Sequence, residues 1–151
     1  MKSIGIVITA VVTLCAFPVF AATEQKCVKV DQAEIARLFD RWNNSLKTGN
    51  PSKVAENYVS DAVLLPTLSG KVRLTDSERK DYFKGFLKKK PDGKIVSRTI
   101  RLGCNKAIDT GIYTFYFNDG TQAPARYTFT YVWTGQKWLI SSHHSSAVPK
   151  D

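Results

Sequence analysis

Side chains able to do chemistry gather near the end of the chain, where His143 and His144 are preceded by Ser142 and followed by Ser145 and Ser146. Serine beside histidine is a common basis for nucleophilic catalysis. Adjacent residues of a β-strand, however, point to opposite faces, and same-face neighbours on one strand lie about 7 Å apart. The chain also lacks the GxSxG turn that exposes a hydrolase nucleophile. The pattern therefore disfavours a serine hydrolase.

Metal chemistry is also disfavoured by the spacing of the candidate ligands. The two histidines are adjacent and, on a strand, cannot bind one metal ion together. Cys27 and Cys104 are far apart in sequence and belong to no CxxC pair. Zinc sites require clustered ligands. We therefore expect neither a metal site nor a cofactor.

The first 21 residues have the parts of a secretory signal peptide. Lys2 supplies the positive start, residues 4–16 form an uncharged apolar run, and small residues precede a cleavage position after Ala21. The run is shorter than the roughly 20 apolar residues that a membrane span needs. We expect residues 1–21 to be removed, leaving residues 22–151 as one exported domain, periplasmic or secreted, without a stable membrane anchor.

Cleavage would remove Cys15 and leave Cys27 and Cys104 as an even pair. In an oxidising compartment such a pair typically forms a disulfide, and the alternative is two buried free thiols. We predict the disulfide. It would tie the N-terminal segment to the middle of the chain and stabilise the fold by about 4 kcal/mol.

The formal net charge is +9, and the loss of Lys2 lowers it to +8. Such a charge raises the question of nucleic-acid binding. The lysines are scattered, however, and their tightest cluster, residues 88–90, lies where a helix is expected to end and where cations complement the helix dipole. We expect a solvated basic surface and no nucleic-acid partner. The charge is compatible with a small anionic ligand.

The elements that must position these side chains divide into helices followed by strands. Asp31 and Thr75 each precede a glutamate by three residues, as in a capping box, and each begins an amphipathic pattern. Asn50 begins a short helix between them, and residues 62–65 form a short strand. This order predicts an α+β fold with an antiparallel meander. The four later β segments are 94–103, 107–117, 123–134 and 137–146.

The last predicted hairpin assigns side chains to faces. If residues 135–136 are the whole turn, Trp133 pairs with Trp138, and counting along the strands places Tyr127 opposite His144. This aromatic face should be buried, and we expect a pocket where it becomes polar. The candidate pocket residues are Trp42, Tyr58, Arg98, Tyr127, Ser142 and His144.

The opposite face of the same hairpin would carry Arg126, Thr128 and His143. Its mildly polar, β-branched character suits a subunit interface or a solvated surface. A slip of one residue in the register would exchange the two faces.

Arg98 and Arg126 both lie on predicted strands, where a buried guanidinium needs a partner. The partner would be either an anionic ligand or a carboxylate of the protein, and we favour the carboxylate. The candidate carboxylates are Asp61, Asp81 and Asp109.

Several motifs, in the same order and at the same spacing, resemble the bacterial relatives of the association domain of calcium/calmodulin-dependent protein kinase type II. The resemblance covers nearly all of the chain after the signal peptide. The segments that carry it are 39–43, 49–51, 58, 61–69, 81–83, 86–87, 109–113, 125–129 and 143–146.

This resemblance implies a cystatin-like α+β cone, shared with nuclear transport factor 2 and small polyketide cyclases. It also implies a domain without catalytic activity that assembles subunits through sheet faces and keeps a deep polar pocket for small carboxylates. There is no kinase domain here, so phosphotransfer is excluded. Ser145 stands where the kinase has an arginine, which weakens the expectation of carboxylate binding, whereas His144 matches a histidine.

We therefore predict a non-catalytic homodimer or higher homo-oligomer that binds a small, anionic molecule in the cell envelope. One alternative is a small cyclase- or isomerase-like enzyme with His144 or a pocket carboxylate as general base and Tyr58 or Tyr127 as hydrogen-bond donor. Another is a periplasmic partner-binding or immunity-type protein, which only the expected location supports.

Overall fold

The computed structural model describes residues 26–149, so the predicted signal peptide lies outside the described residues. No helix in this part of the chain is long and apolar enough to cross a membrane. The elements are α1 (Gln32–Lys47), α2 (Pro51–Ala55), β1 (Tyr58–Leu65), α3 (Asp76–Phe86) with a 3₁₀ turn (Leu87–Lys89), β2 (Asp92–Gly103), β3 (Lys106–Tyr116), β4 (Gln122–Trp133) and β5 (Trp138–Ala147).

The helices begin at the predicted caps. Thr75 and Glu78 form a complete capping box at α3. At α1, Asp31 accepts a hydrogen bond from the Glu34 amide. Asn50 caps α2 by accepting a hydrogen bond from the amide of Ser52. These local bonds satisfy helix donors that would otherwise lack a partner.

The strands form a single sheet in the order β1-β5-β4-β3-β2. The α+β fold class is confirmed, but the sheet is mixed, because β1 pairs in parallel with β5 and all other pairs are antiparallel. The short strand predicted at 62–65 begins earlier, at Tyr58, and this length allows it to complete the sheet edge. Helices α1 and α3 pack on one face of the sheet, here called the inner face.

The core lies between α1 and the inner face. The apolar stripe of α1 supplies fully or nearly fully buried side chains, and the strands supply an aromatic layer facing it. Burying such rings stabilises a domain by about 2 kcal/mol per large side chain. The residues at the centre of this core are Ile35, Phe39, Trp42, Tyr113, Phe129 and Tyr131.

A β-bulge changes the predicted register of the last hairpin. Trp133 pairs with Trp138 and Tyr131 with Ile140 as predicted, but Thr130 then pairs with Ser142, one residue further along β5. Ser141 is therefore the extra residue, and its hydroxyl donates to the Thr130 carbonyl over 3.1 Å. Every residue of β5 after the bulge is moved to the other face, because side chains alternate along a strand.

The disulfide prediction is confirmed. Cys27 and Cys104 are bonded, with their Cα atoms 4.9 Å apart. Cys104 lies in the turn between β2 and β3, where the neighbouring Asn105 also holds the N-terminal segment. The Asn105 side chain accepts a hydrogen bond from the Val28 amide over 2.9 Å and donates to the Lys26 carbonyl over 3.1 Å.

Candidate functional site

A small cavity of about 30 Å³ lies between the helices and the inner face. Its volume is enough for one or two water-sized groups. Three polar side chains, from Thr67, His143 and Ser145, lie among otherwise aromatic and aliphatic walls. The remaining lining residues are Trp42, Leu64, Pro66, Leu68, Tyr82, Phe83, Phe86, Tyr113, Phe115, Phe117, Ala123 and Ala125.

The polar side chains belong to a buried chain of hydrogen bonds that begins on α1. Trp42 Nε1 donates to the Tyr58 hydroxyl over 2.9 Å. This hydroxyl lies 3.0 Å from His143 Nδ1. Trp42 and His143 also contact each other edge to face, with ring centroids 5.3 Å apart. The helix, β1 and β5 are thus joined at one point in the core.

The chain continues from the other nitrogen of the imidazole towards the cavity. His143 Nε2 lies 3.4 Å from the Tyr113 hydroxyl. Tyr113 donates to Ser145 Oγ over 2.6 Å, and Ser145 in turn shares a hydrogen bond with the Thr67 hydroxyl.

The direction of these bonds follows from counting hydrogens. Trp42 is only a donor, so the Tyr58 hydroxyl accepts from it and directs its own hydrogen to His143 Nδ1. His143 is then neutral with its hydrogen on Nε2, and it donates to Tyr113. Within the hydroxyl pair formed by Ser145 and Thr67, one hydrogen remains without a partner in this chain. Thr67 and Ser145 both line the cavity.

Burial supports this assignment of a neutral imidazole. His143 is 3% exposed. Desolvation, together with the neighbouring His144, lowers the pKa of His143 to about 3. Burial likewise raises the pKa of Tyr58 and Tyr113 above the usual range. All three groups are therefore neutral at physiological pH.

Two of the predicted pocket residues belong to this site. Trp42 lines the cavity, and the Tyr58 hydroxyl accepts a hydrogen bond from Trp42. The predicted placement of Ser142 and His144 on the inner face is wrong, because the bulge at Ser141 turns both to the outer face. His143 and Ser145 occupy the inner positions instead.

Arg98 and Tyr127 lie apart from the cavity, in a separate buried cluster with Asp109. Arg98 forms an ion pair with Asp109, with nitrogen–oxygen distances of 3.1 Å, and the Tyr127 hydroxyl donates to the same carboxylate over 2.8 Å. Arg98 also lies over the ring of Phe39. Burial raises the pKa of Asp109, and the bonds from Tyr127 and Arg98 oppose this. Asp109 is thus the protein carboxylate that was expected for Arg98.

The predicted interface residues divide between the two faces. Arg126 and Thr128 lie on the outer face, Arg126 being exposed and Thr128 partly so. The predicted placement of His143 on the outer face is wrong, because the bulge at Ser141 turns His143 to the inner face. Its outer-face counterpart is His144, which pairs with Thr128 across the strands and is exposed.

Sequence reasoning missed Arg79, a buried cation on α3. Its guanidinium donates to the backbone carbonyls of Val59, Ser60 and Ala62 over 2.6–3.1 Å. These carbonyls lie where the pairing of β1 with β5 is irregular, between Tyr58 and Val63. Arg79 lies four residues before Phe83 and therefore on the apolar face of the helix. This spacing was the feature of the sequence that could have indicated its burial.

The hydroxyls of Thr67, Tyr113 and Ser145 were also missed. They come from three separated parts of the chain, and no local pattern connects them. Within residues 26–149, no group of histidine, cysteine, aspartate or glutamate side chains has the arrangement of a metal site.

Comparison with known proteins gives a family match. The family model of the calcium/calmodulin dependent protein kinase II association domain matches residues 31–149. A solved structure from Xanthomonas campestris, described as a candidate domain of this kind, is 44% identical. The similarity covers 86% of this chain and 100% of that chain, with a TM-score of 0.76. No curated protein matches the chain.

More distant structures share the fold alone. An NTF2-like protein of unknown function from Pseudomonas putida is 17% identical, with a TM-score of 0.68 over 80% of this chain and 87% of that one. An uncharacterised protein with a cystatin-like fold from Caulobacter vibrioides is 20% identical, with a TM-score of 0.64 over 78% of this chain and 89% of that one. The cystatin-like cone predicted from the sequence is therefore confirmed.

Proposed function

Since this chain belongs to the family of calcium/calmodulin dependent protein kinase II association domains, we propose that it is a non-catalytic module that assembles with copies of itself. The assembly is most simply a dimer formed through the outer face of the sheet. The cavity on the inner face holds a small molecule. The single observation that carries this proposal is the family match over residues 31–149.

The outer face has the composition of a subunit interface. Thr128 and Thr130 on β4 are flanked by Val132, and all three are only partly buried in the single chain. Ile108 on β3 is 40% exposed, and Leu65 on β1 is 36% exposed. The threonines and branched apolar side chains of this face can be desolvated on association at little cost.

Two polar side chains lie beside the threonines of this face, since Arg126 is opposite Ile112 and His144 is opposite Thr128. Lys106 lies at one end of the face, opposite Val132. An interface formed here would have to provide the Arg126 guanidinium with a partner or leave it in contact with water. Arg126 and Thr128, predicted from the sequence, are thus retained as interface residues, and His144 replaces His143.

The geometry of the cavity supports a binding role over catalysis. An acid–base catalyst needs a titratable group with a free lone pair or hydrogen facing the substrate. Both nitrogens of His143 are used inside the hydrogen-bond chain, and burial keeps its pKa at about 3. The predicted general base, His144, is on the opposite face of the sheet. These observations disfavour the cyclase- or isomerase-like alternative.

Export from the cytoplasm is the second part of the proposal. The sequence of residues 1–21 supports it, and so does the bond between Cys27 and Cys104, since disulfides persist in oxidising compartments. The measurement is the N-terminal sequence of the protein recovered from the envelope fraction, which should begin at Ala22. A start at Met1 would contradict the proposal.

Size-exclusion chromatography with light scattering tests the assembly. The wild type should have at least twice the mass of one chain, and Thr130→Lys should yield monomers because it buries a charge at the centre of the interface. Ser52→Lys, on exposed α2, is the matched control and should remain assembled. A wild-type monomer at all concentrations, with the fold intact by circular dichroism, would contradict the assembly.

A further inference from the structure

An open groove of about 440 Å³ lies where α1, α2 and the start of β5 meet. It shares no lining residue with the cavity on the inner face. All of its lining residues except Leu139 are polar or charged. They are Arg41, Asn44, Ser45, Thr48, Lys53, Glu56, Asn57, Lys137 and Leu139.

Arg41 is held in a fixed position at the wall of this groove. Its Nε donates to Oδ1 of Asn57 over 3.0 Å, and its Nη2 donates to the Trp138 carbonyl over 2.6 Å. Asn57 is 5% exposed and is itself fixed, because its amide nitrogen donates to one oxygen of α1 and two of α2. A guanidinium positioned in this way loses little conformational entropy when it binds a ligand.

The positive charge of the groove is not balanced by the protein. Three cations and one carboxylate line it, and that carboxylate, Glu56, is paired with Lys53 over 3.1 Å. Within residues 26–149, neither Arg41 nor Lys137 forms an ion pair. Partial desolvation lowers the pKa of Arg41. An anion placed beside these two cations would therefore be stabilised.

The donors that remain free suit a tetrahedral anion better than a planar carboxylate. The edge of Arg41 formed by Nε and Nη2, which could hold a carboxylate by two parallel bonds, is already bonded to the protein. Single contacts remain from Arg41 Nη1, the Lys137 ammonium and the Asn44 amide. A phosphate monoester carries a charge of about −1.5 to −2 at pH 7 and has three acceptor oxygens. It therefore matches two cations and one amide that come from separate elements.

The groove lacks the apolar rim of a membrane-binding surface. Surfaces that bind lipid headgroups commonly insert large apolar side chains into the bilayer. Among residues 26–149, none of the exposed large apolar side chains lines this groove. This composition favours a ligand in solution over a phospholipid.

From these observations we propose that the groove binds a soluble phosphate monoester, with its phosphate between Arg41 and Lys137. The volume of the groove is in the range of small-molecule sites and leaves room for an organic group against Leu139. The site is separate from the cavity and from the outer face, so it does not depend on the function proposed above.

Glucose 6-phosphate and glucose 6-sulfate test this site by titration calorimetry at low salt, because the two esters have the same shape and differ in charge. The phosphate ester should bind at least about three-fold more tightly. Lys137→Gln should weaken its binding about three- to five-fold. Asn44→Asp should abolish it, because the added carboxylate would pair with the free cations. Lys84→Gln, on the exposed side of α3, removes the same charge elsewhere and should bind as the wild type does.

Backbone amide shifts recorded during the titration should change at residues 41–57 and 137–139. Equal weakening by Lys137→Gln and Lys84→Gln would indicate attraction to the overall positive charge and would overturn the site. Equal affinity for the two esters would overturn the choice of phosphate, and so would the absence of binding by both glucose 6-phosphate and inorganic phosphate. Binding only to phosphatidylcholine vesicles that contain phosphatidic acid would assign the groove to a lipid headgroup and overturn the soluble ligand. The proposed assembly and the cavity would be unaffected by any of these results.

Discussion

At the residue scale, the buried chain from Trp42 to Thr67 explains why this core contains so many hydroxyls. Each hydroxyl accepts a hydrogen bond from one neighbour and donates to the next. All the bonds therefore run in the same direction, from the indole on α1 towards Ser145. A buried polar group without a partner costs about 1–3 kcal/mol, so each member depends on its neighbours. His143 is central, because it connects the two halves of the chain.

Tyr58→Phe should destabilise the fold by about 2 kcal/mol, because Trp42 Nε1 and His143 Nδ1 both lose their partner in the core. Urea denaturation followed by circular dichroism measures this. Tyr116→Phe removes a hydroxyl from a residue that is 43% exposed and should change the stability by less than about 0.5 kcal/mol. Equal effects of the two variants would contradict the role given to Tyr58.

The stability should also depend on pH through His143. Its pKa in the folded state is about 3, whereas an unfolded histidine has a pKa of about 6.5. The contribution of the neutral imidazole is therefore complete above about pH 6.5 and is lost as the pH falls towards 3. Between pH 7 and pH 5, this one group should lower the free energy of unfolding by about 2 kcal/mol.

Denaturation of matched variants at the two pH values isolates that contribution. His143→Gln should lose the pH dependence, since the buried side chain no longer titrates. His144→Gln, which alters the exposed neighbour, should retain it. A His143→Gln variant with the same loss of stability between pH 7 and pH 5 as the wild type would show that other groups are responsible.

At the scale of elements, α3 is held to the sheet by a charge as well as by apolar packing. Arg79 is 1% exposed, and it replaces the strand partners that the carbonyls of β1 lack at the irregular pairing with β5. A guanidinium suits this role, because its planar fork can bond several carbonyls at once. It also lies over the ring of Tyr58, which links α3 to the hydrogen-bond chain.

Arg79→Met should keep most of the side-chain volume and leave these carbonyls buried without donors, at a cost of about 3 kcal/mol or more. Thermal and urea unfolding measure the loss. Arg37→Met, on the exposed side of α1, provides the control and should be nearly neutral. A loss of stability below about 1 kcal/mol would show that the carbonyls of β1 find other donors when Arg79 is absent.

The N-terminal segment is attached to the turn between β2 and β3 by the bond between Cys27 and Cys104. The double variant Cys27→Ser with Cys104→Ser should lose about 4 kcal/mol, since the bond closes a long loop with a sequence separation of 77 residues. The reduced wild type should unfold at the same urea concentration as this variant. A wild type whose midpoint is unaffected by reductant would contradict the prediction.

At the scale of the whole molecule, the two faces of the sheet have separate roles: one buries the core and cavity, and the other is proposed to bind a second copy. If the assembly contributes to stability, the melting temperature must rise with protein concentration by mass action. We expect this rise for the wild type and for Ser52→Lys, and none for Thr130→Lys. Differential scanning calorimetry over a hundred-fold range of concentration measures it, and a constant wild-type value would contradict the assembly.

The sequence by itself determined the features that depend on neighbouring residues. The caps Asp31, Asn50 and Thr75 act within one helical turn, and the turn at residues 135–136 fixes the first pairs of the hairpin. The even pair of cysteines indicated the disulfide, and the order of motifs indicated the family.

Only the tertiary structure decided which residues form the site. The bulge at Ser141 moves His143 inward and His144 outward, and it occurs within a strand that pairs with β4 on one side and β1 on the other. Thr67, Tyr113 and Ser145 meet only once those pairings exist. Local spacing sets the alternation of side chains along a strand, but long-range pairing sets where that alternation shifts.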